Sequence, residues 1–193
     1  MNRKNLMVSA VVSIIVYCLH SCSPEETKHP ATTDTLAVKD SLIKRGGYLV
    51  SIVGCDECHS PKIMTATGLE IDSARRFSGY PSAEPVRRPH VTGAHLGQFV
   101  ANSDLTMFQA PFGVSFAANI TSDATGIGDW SEARFRNAFV NGQHLGLDKE
   151  RHIVPPMSQF TKMKDADVKA IFMYLKSTKP VKNIVPAWIP PAK

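Results

Sequence analysis

Two cysteines three positions apart with a histidine directly behind them, Cys55-Asp56-Glu57-Cys58-His59, leave this chain few ways to fold and act. In C-x-x-C-H the two thiols can straddle one edge of a porphyrin and add across its two vinyl groups. The helical turn they share aims the next imidazole at the metal as an axial ligand. With 4 Cys and 7 His in 193 residues, chance would produce the pattern roughly 0.003 times, so the motif is specific. Three other readings use the same cysteines. They are a structural disulfide, a thioredoxin-like redox pair, which needs a βαβ pattern, and a zinc knuckle, which needs a second ligand pair. The βαβ pattern and the second pair are both missing from the sequence. One covalent haem c on Cys55, Cys58 and His59 is therefore the expectation.

The N-terminus reads as an export signal. Arg3 and Lys4 precede an apolar run from Leu6 to Leu19 that only Ser9 and Ser13 interrupt, a charged n-region followed by an h-region too short to span a bilayer comfortably. The run ends in Leu19-His20-Ser21-Cys22, which resembles a bacterial lipobox, although His20 is an unusual occupant. Lipidation at Cys22 would anchor the mature protein on the periplasmic side of a bacterial membrane; an ordinary cleaved signal or an uncleaved anchor are the other readings. Ser23 to Thr35 is polar, holds two prolines and lacks apolar periodicity, so a disordered tether is expected there. Cys18 leaves with the signal and Cys22 takes lipid, so Cys55 and Cys58 form the pair that remains.

A formal charge of +5, of which Arg3 and Lys4 supply two, says little about partners. The basic residues are scattered and no aromatics interleave them, so nucleic-acid binding is not expected. No Ser-His-Asp pattern, phosphate loop or paired-carboxylate motif supports a hydrolase.

A haem that carries electrons usually has both axial positions filled, and a thioether in the sixth raises the reduction potential. Met157 is the candidate, because Ile153-Val154-Pro155-Pro156 forms a stiff, non-helical approach to it. Beyond it, Asp165 to Ser177 predicts a helix with acids in its first turn and an apolar stripe of Val168, Ile171, Phe172 and Leu175. Upstream of the motif, Lys39 to Gly54 predicts another, with Leu42, Ile43, Leu49, Val50 and Val53 near one face. Gly46 and Gly47 sit inside that helix, where each costs about 0.5–1 kcal/mol relative to alanine. A crossing with another helix, Tyr174 or Phe172 lying over the glycines, would compensate. A third helix, Glu132 to Asn141, is expected to start at a Ser131 cap, stop at Gly142 and bury Phe135, Ala138 and Phe139.

This arrangement resembles the class I c-type cytochromes. The stretches Ala118-Asn119-Ile120-Thr121, Gly126-Ile127-Gly128-Asp129-Trp130-Ser131, Pro155-Pro156-Met157 and Ile171-Phe172-Met173-Tyr174-Leu175 resemble the cytochrome modules that accompany periplasmic dehydrogenases. The resemblance implies an all-α class I cytochrome c fold over residues 37–186, after a signal peptide (1–21) and tether (22–36) and before a tail (187–193). It implies iron ligation by His59 and Met157, and a haem propionate bonded by Trp130, for which plain core packing is the alternative. Redox proteins, a dehydrogenase or a respiratory complex, are the implied partners. Such relatives often carry two or three haems; this chain has one motif.

The distance from His59 to Met157 exceeds what a minimal member needs, and the excess lies between Lys62 and Ala117. That segment, rich in Gly, Pro, Ser and Arg, is read as a loop-rich insertion with room for one short hairpin, shielding porphyrin or forming a docking flap. It supplies rival ligands in Met64, His90, His95 and Met107; His144, His152 and Met163 lie beyond it. The function expected is one-electron transfer by an exported, membrane-anchored monohaem cytochrome, as a free carrier or as the electron-transfer subunit of a dehydrogenase. An open-site haem enzyme of peroxidase type, or a gas or redox sensor, is the alternative.

Overall fold

The computed structural model describes residues 31–86 and 98–191. Cys22, the signal segment, His90 and His95 lie outside the described residues. The chain divides at Leu36 and Ala37 into two units, and the second holds everything that follows.

Helix α1, Ala31–Val53, starts ahead of the expected Lys39 and takes in the last residues of the segment read as a tether. It buries Val50 and Leu49, with Leu42 packed alongside. Helix α2, Cys55–His59, follows after Gly54, whose φ of 78° turns the chain sharply. Helix α3, Glu132–Phe139, begins at Ser131, whose Oγ accepts from the Arg134 amide at 3.1 Å. It buries Phe135, Ala138 and Phe139, the stripe expected of it. Helix α4, Asp165–Lys176, buries Val168, Ala170, Ile171, Phe172 and Leu175. The rings of Phe135, Phe139, Phe160 and Phe172 pack at centroid separations of 4.4–5.4 Å in the core between these helices. Each fully buried ring of this kind contributes about 1.5–3 kcal/mol.

The backbones of α1 and α4 meet at a close crossing. A Cβ built on Gly46 would run into the Ala170 carbonyl oxygen and lie 2.7 Å from Tyr174 Cβ, and one on Gly47 would meet the Tyr174 ring at 3.0 Å. Arg45 pairs with Asp167 at 2.5 Å across the same crossing.

The all-α class I cytochrome c fold is not what the chain adopts. The segment expected to be loop-rich, with room for one short hairpin, forms five strands in two antiparallel sheets, and the fold is mixed α and β. Strands β1, Lys62–Thr65, and β2, Gly68–Ile71, pair antiparallel, Met64 opposite Leu69. Strands β3, Val100–Ala101, β4, Met107–Ala110, and β5, Gly113–Phe116, make a second antiparallel sheet in the order β3-β4-β5. The cause is local. Pro111 and Phe112 close the tight connection between β4 and β5, and Gly113 takes a φ of 97°, a left-handed conformation that glycine adopts without a Cβ penalty. Its missing Cβ leaves room for the Ile189 carbonyl. Val114 and Ile189 then exchange backbone hydrogen bonds of 2.8 and 2.9 Å, so the C-terminal segment covers the sheet edge. A second core of Tyr80, Met107 and Val114 forms beneath, bordered by Phe116, Val185 and Ile189.

Asn119 and Asn183 hold this C-terminal segment in place. The Asn183 amide donates to the Ser78 and Tyr80 carbonyls at 2.6 and 2.8 Å, while its oxygen accepts from the Ser82 amide at 2.9 Å. The Asn119 amide donates to the Val181 carbonyl at 2.8 Å. Among the described residues no helix is long and apolar enough to cross a membrane.

Alanine normally stabilises a helix relative to glycine, yet Gly46→Ala should destabilise this protein by about 1–3 kcal/mol, because the added methyl overpacks against helix backbone. Urea unfolding measures the difference, and a gain in stability would mean that the helices do not cross at Gly46.

Candidate functional site

The site residues arise from a turn too short to hold itself. Helix α2 has five residues, and helices of that length gain little from propensity. Its shape comes from its surroundings. Lys62 Nζ donates to the Glu57 carbonyl at 2.6 Å and to the Asp104 carbonyl at 2.8 Å, a cation where a helix ends in unsatisfied oxygens. The Gly79 amide donates to the His59 carbonyl at 2.8 Å. Buried Ser60 donates from Oγ to Asp56 at 2.7 Å and accepts from the Phe77 amide at 2.9 Å.

Cys55 and Cys58 lie one turn apart, so their side chains emerge on one side of α2. Both are partly buried free thiols. Burial, reinforced by the Asp56 carboxylate, pushes the Cys55 thiol up to about 11. Burial also raises Cys58, against the pull of Lys62. Thiols held protonated are slow to attack a disulfide, so the pair is badly tuned for thioredoxin-like exchange.

His59 Nδ1 lies 2.8 Å from the Ala118 carbonyl. A carbonyl only accepts, so Nδ1 carries the proton and the lone pair sits on Nε2. Burial lowers the imidazole below its ordinary pKa, although the Ala118 bond and Asp56 oppose the shift. The ring is thus an imidazole of defined tautomer, held by the kind of hydrogen bond that orients metal-ligating histidines.

Met157 follows the cis Pro155-Pro156 bond and is partly buried. Ser115 Oγ donates to the Pro155 carbonyl at 3.1 Å, so β5 of the inserted sheet supports the approach to Met157. Met157, Cys55 and Trp130 all pack against the one helical core, so three of the sequence-derived site residues border it together. Trp130 carries the Arg134 guanidinium over its ring at 4.4 Å.

The rivals are placed differently. Met64 is 76% exposed on the first hairpin, Met107 is buried in the second core, and Met163 packs against the helical core. His144 has Glu150 at 3.7 Å, and burial with the Arg151 cation lowers its pKa. His152 is exposed. Among the described residues no group of three or more His, Cys, Asp and Glu is gathered to hold a metal ion.

Sequence reasoning missed Arg76, Lys62 and the Ala118 carbonyl. Nothing in a linear pattern pairs Arg76 with Asp56, and a backbone carbonyl leaves no mark in sequence at all.

No protein-family model matches the chain. One of the subunits of nicotinate dehydrogenase from Pseudomonas putida is 40% identical to it over 90 residues, which is 45% of this chain and 7% of that protein. The chain therefore spans a small part of a much longer relative, and its likeness is to a segment of a dehydrogenase subunit.

In protein with both thiols free, alkylation of Cys55 should be slow at neutral pH and keep rising toward pH 11, because only the thiolate reacts. Mass spectrometry of the alkylated peptide reads this. A rate that levels off by about pH 8.5, the ordinary thiol value, would contradict the buried, protonated thiol.

Proposed function

We propose that this chain is a monohaem c-type electron carrier and that it serves a dehydrogenase as its electron-transfer component. The observation that carries the reading is the His59–Ala118 hydrogen bond: it leaves Nε2 as a free, uncharged donor directly behind two thiols on the same turn. That combination fits the group. Each thiol would add across a porphyrin vinyl, its sulfur going to the carbon beside the ring and its hydrogen to the terminal carbon. His59, through Nε2, and Met157, through Sδ, would hold its iron. Two protein ligands would suffice for a group of this kind, so a larger gathering of protein ligands is not required. Bound there, the haem supplies one-electron chemistry. The chain's own part is to orient the imidazole, exclude water with the helical core and keep the two thiols protonated until they react.

The similarity to a dehydrogenase subunit supports the choice of partner. By this reading the substrate chemistry belongs to another protein and the present chain takes up electrons from it. We further propose, from Arg3 to Cys22 alone, that the protein is exported and held by lipid at Cys22. Cys22→Ser should then release it from membranes, and fractionation that leaves it membrane-bound would argue for an uncleaved anchor.

Optical spectroscopy of the purified protein tests the main reading. We expect colour that survives denaturation and acid-acetone extraction, a methionine-to-iron charge-transfer band in the near-infrared of the oxidised form, and no shift of the reduced form with carbon monoxide. Changing Cys55 and Cys58 together to Ala should remove the covalent colour. Covalent haem retained by that double variant would sink the attachment. A high-spin form that takes carbon monoxide would put an open-site enzyme or sensor first.

A further inference from the structure

Arg76 reaches back across the fold to the candidate haem turn. Its Nε and Nη2 donate to the two oxygens of Asp56 at 2.8 and 2.6 Å, a fork-on-carboxylate pair. Its Nη1 donates to the Tyr174 hydroxyl at 3.3 Å, and its guanidinium lies 4.4 Å from the centroid of the Phe77 ring. Phe77 itself is buried with a φ of 64°, a strained conformation for a bulky residue that surrounding structure must enforce. The Phe77 amide donates to Ser60 and its carbonyl accepts from the Ile120 amide at 2.9 Å, and these bonds provide that enforcement. Asp56 is only 16% exposed and immediately follows Cys55. Burial would raise its carboxyl, but the Arg76 and Ser60 hydrogen bonds outweigh it and hold it below the usual carboxylate range.

We propose that Arg76 is a positioning residue for the haem-attachment turn, and that the Arg76–Asp56 pair sets the reduction potential by keeping a carboxylate next to Cys55 electrically compensated. The proposal rests on the haem reading given above. Reduction adds one negative charge to the centre, so a nearby uncompensated anion opposes it and a nearby uncompensated cation favours it. The fork matters because it ties the Asp56 charge to one place, against α4 through Tyr174 and against the strained Phe77 turn.

The test is potentiometry on the haem-loaded full chain. Arg76→Gln should lower the potential, because Asp56 is then bare. Asp56→Asn should raise it, because Arg76 is then bare. The double variant should fall between them. Arg76→Lys keeps the cation and should restore most of the lowered potential while losing the fork. Unfolding by urea supplies the contrast, since both single variants should lose stability. A merely structural pair would move the potentials in one direction or not at all, and either result overturns the proposal. Should Arg76→Gln fail to fold, Asp56→Asn alone decides, because a potential that falls or stays put overturns it. A wild-type chain without covalent haem defeats the haem reading and this proposal with it. Loaded wild type with same-direction shifts defeats the positioning role alone.

Discussion

The contact of α1 with α4 at Gly46 sets the geometry of everything downstream. The Ala170 carbonyl and Tyr174 Cβ occupy the space that a side chain at residue 46 would need. Only glycine allows the backbones so close, and close-packed interiors turn such contacts into fixed distances. Gly54 ends α1 with a left-handed turn, so α2 and its cysteines are aimed by the direction α1 takes at the crossing. Tyr174 belongs to both relations, since its ring lies over Gly47 and its hydroxyl accepts from Arg76, which grips Asp56 inside the turn.

The second constraint comes from the sheet. By sequence position 100–116 is an insertion, yet it acts as a scaffold. Asp104 offers a carbonyl to Lys62 beside the end of α2, Ser115 holds Pro155 ahead of Met157, and the chain leaving β5 carries Ala118 to His59. His59 and the approach to Met157 are thus both tied to one small sheet and the chain leaving it. The C-terminal segment keeps that sheet in place through the Val114–Ile189 pair and the Asn183 bonds.

Helical periodicity made the helices legible. The stripes of α3 and α4 and the Ser131 cap fall where apolar spacing and capping chemistry put them, and Gly46-Gly47 announced a crossing because two glycines in a helix demand a reason. The Cys-x-x-Cys-His spacing is local too, and the structure places it on a single helical turn. The sheet was not legible. Strand β3 is two residues long, too short to show alternation, and the pattern of β4 and β5 was masked by Pro111 and Gly113, which read as loop chemistry although Pro111 lies in the hairpin turn and Gly113 opens β5. The contacts that define the site were hidden by distance along the chain: Asp56 meets Arg76 and His59 meets Ala118 only after the intervening segments have folded.

That non-locality says what holds the site together. A five-residue helix bears the nucleation cost without enough bonds to offset it, so Cys55, Cys58 and His59 owe their relation to partners outside the turn. Four separate partners impose one: Lys62 at the end of the turn, Arg76 on its acidic side, Gly79 at the His59 carbonyl and Ala118 at the imidazole. All are polar ties at the periphery of α2, and none engages a thiol or His59 Nε2. The fold therefore commits these four hydrogen bonds to orienting the turn.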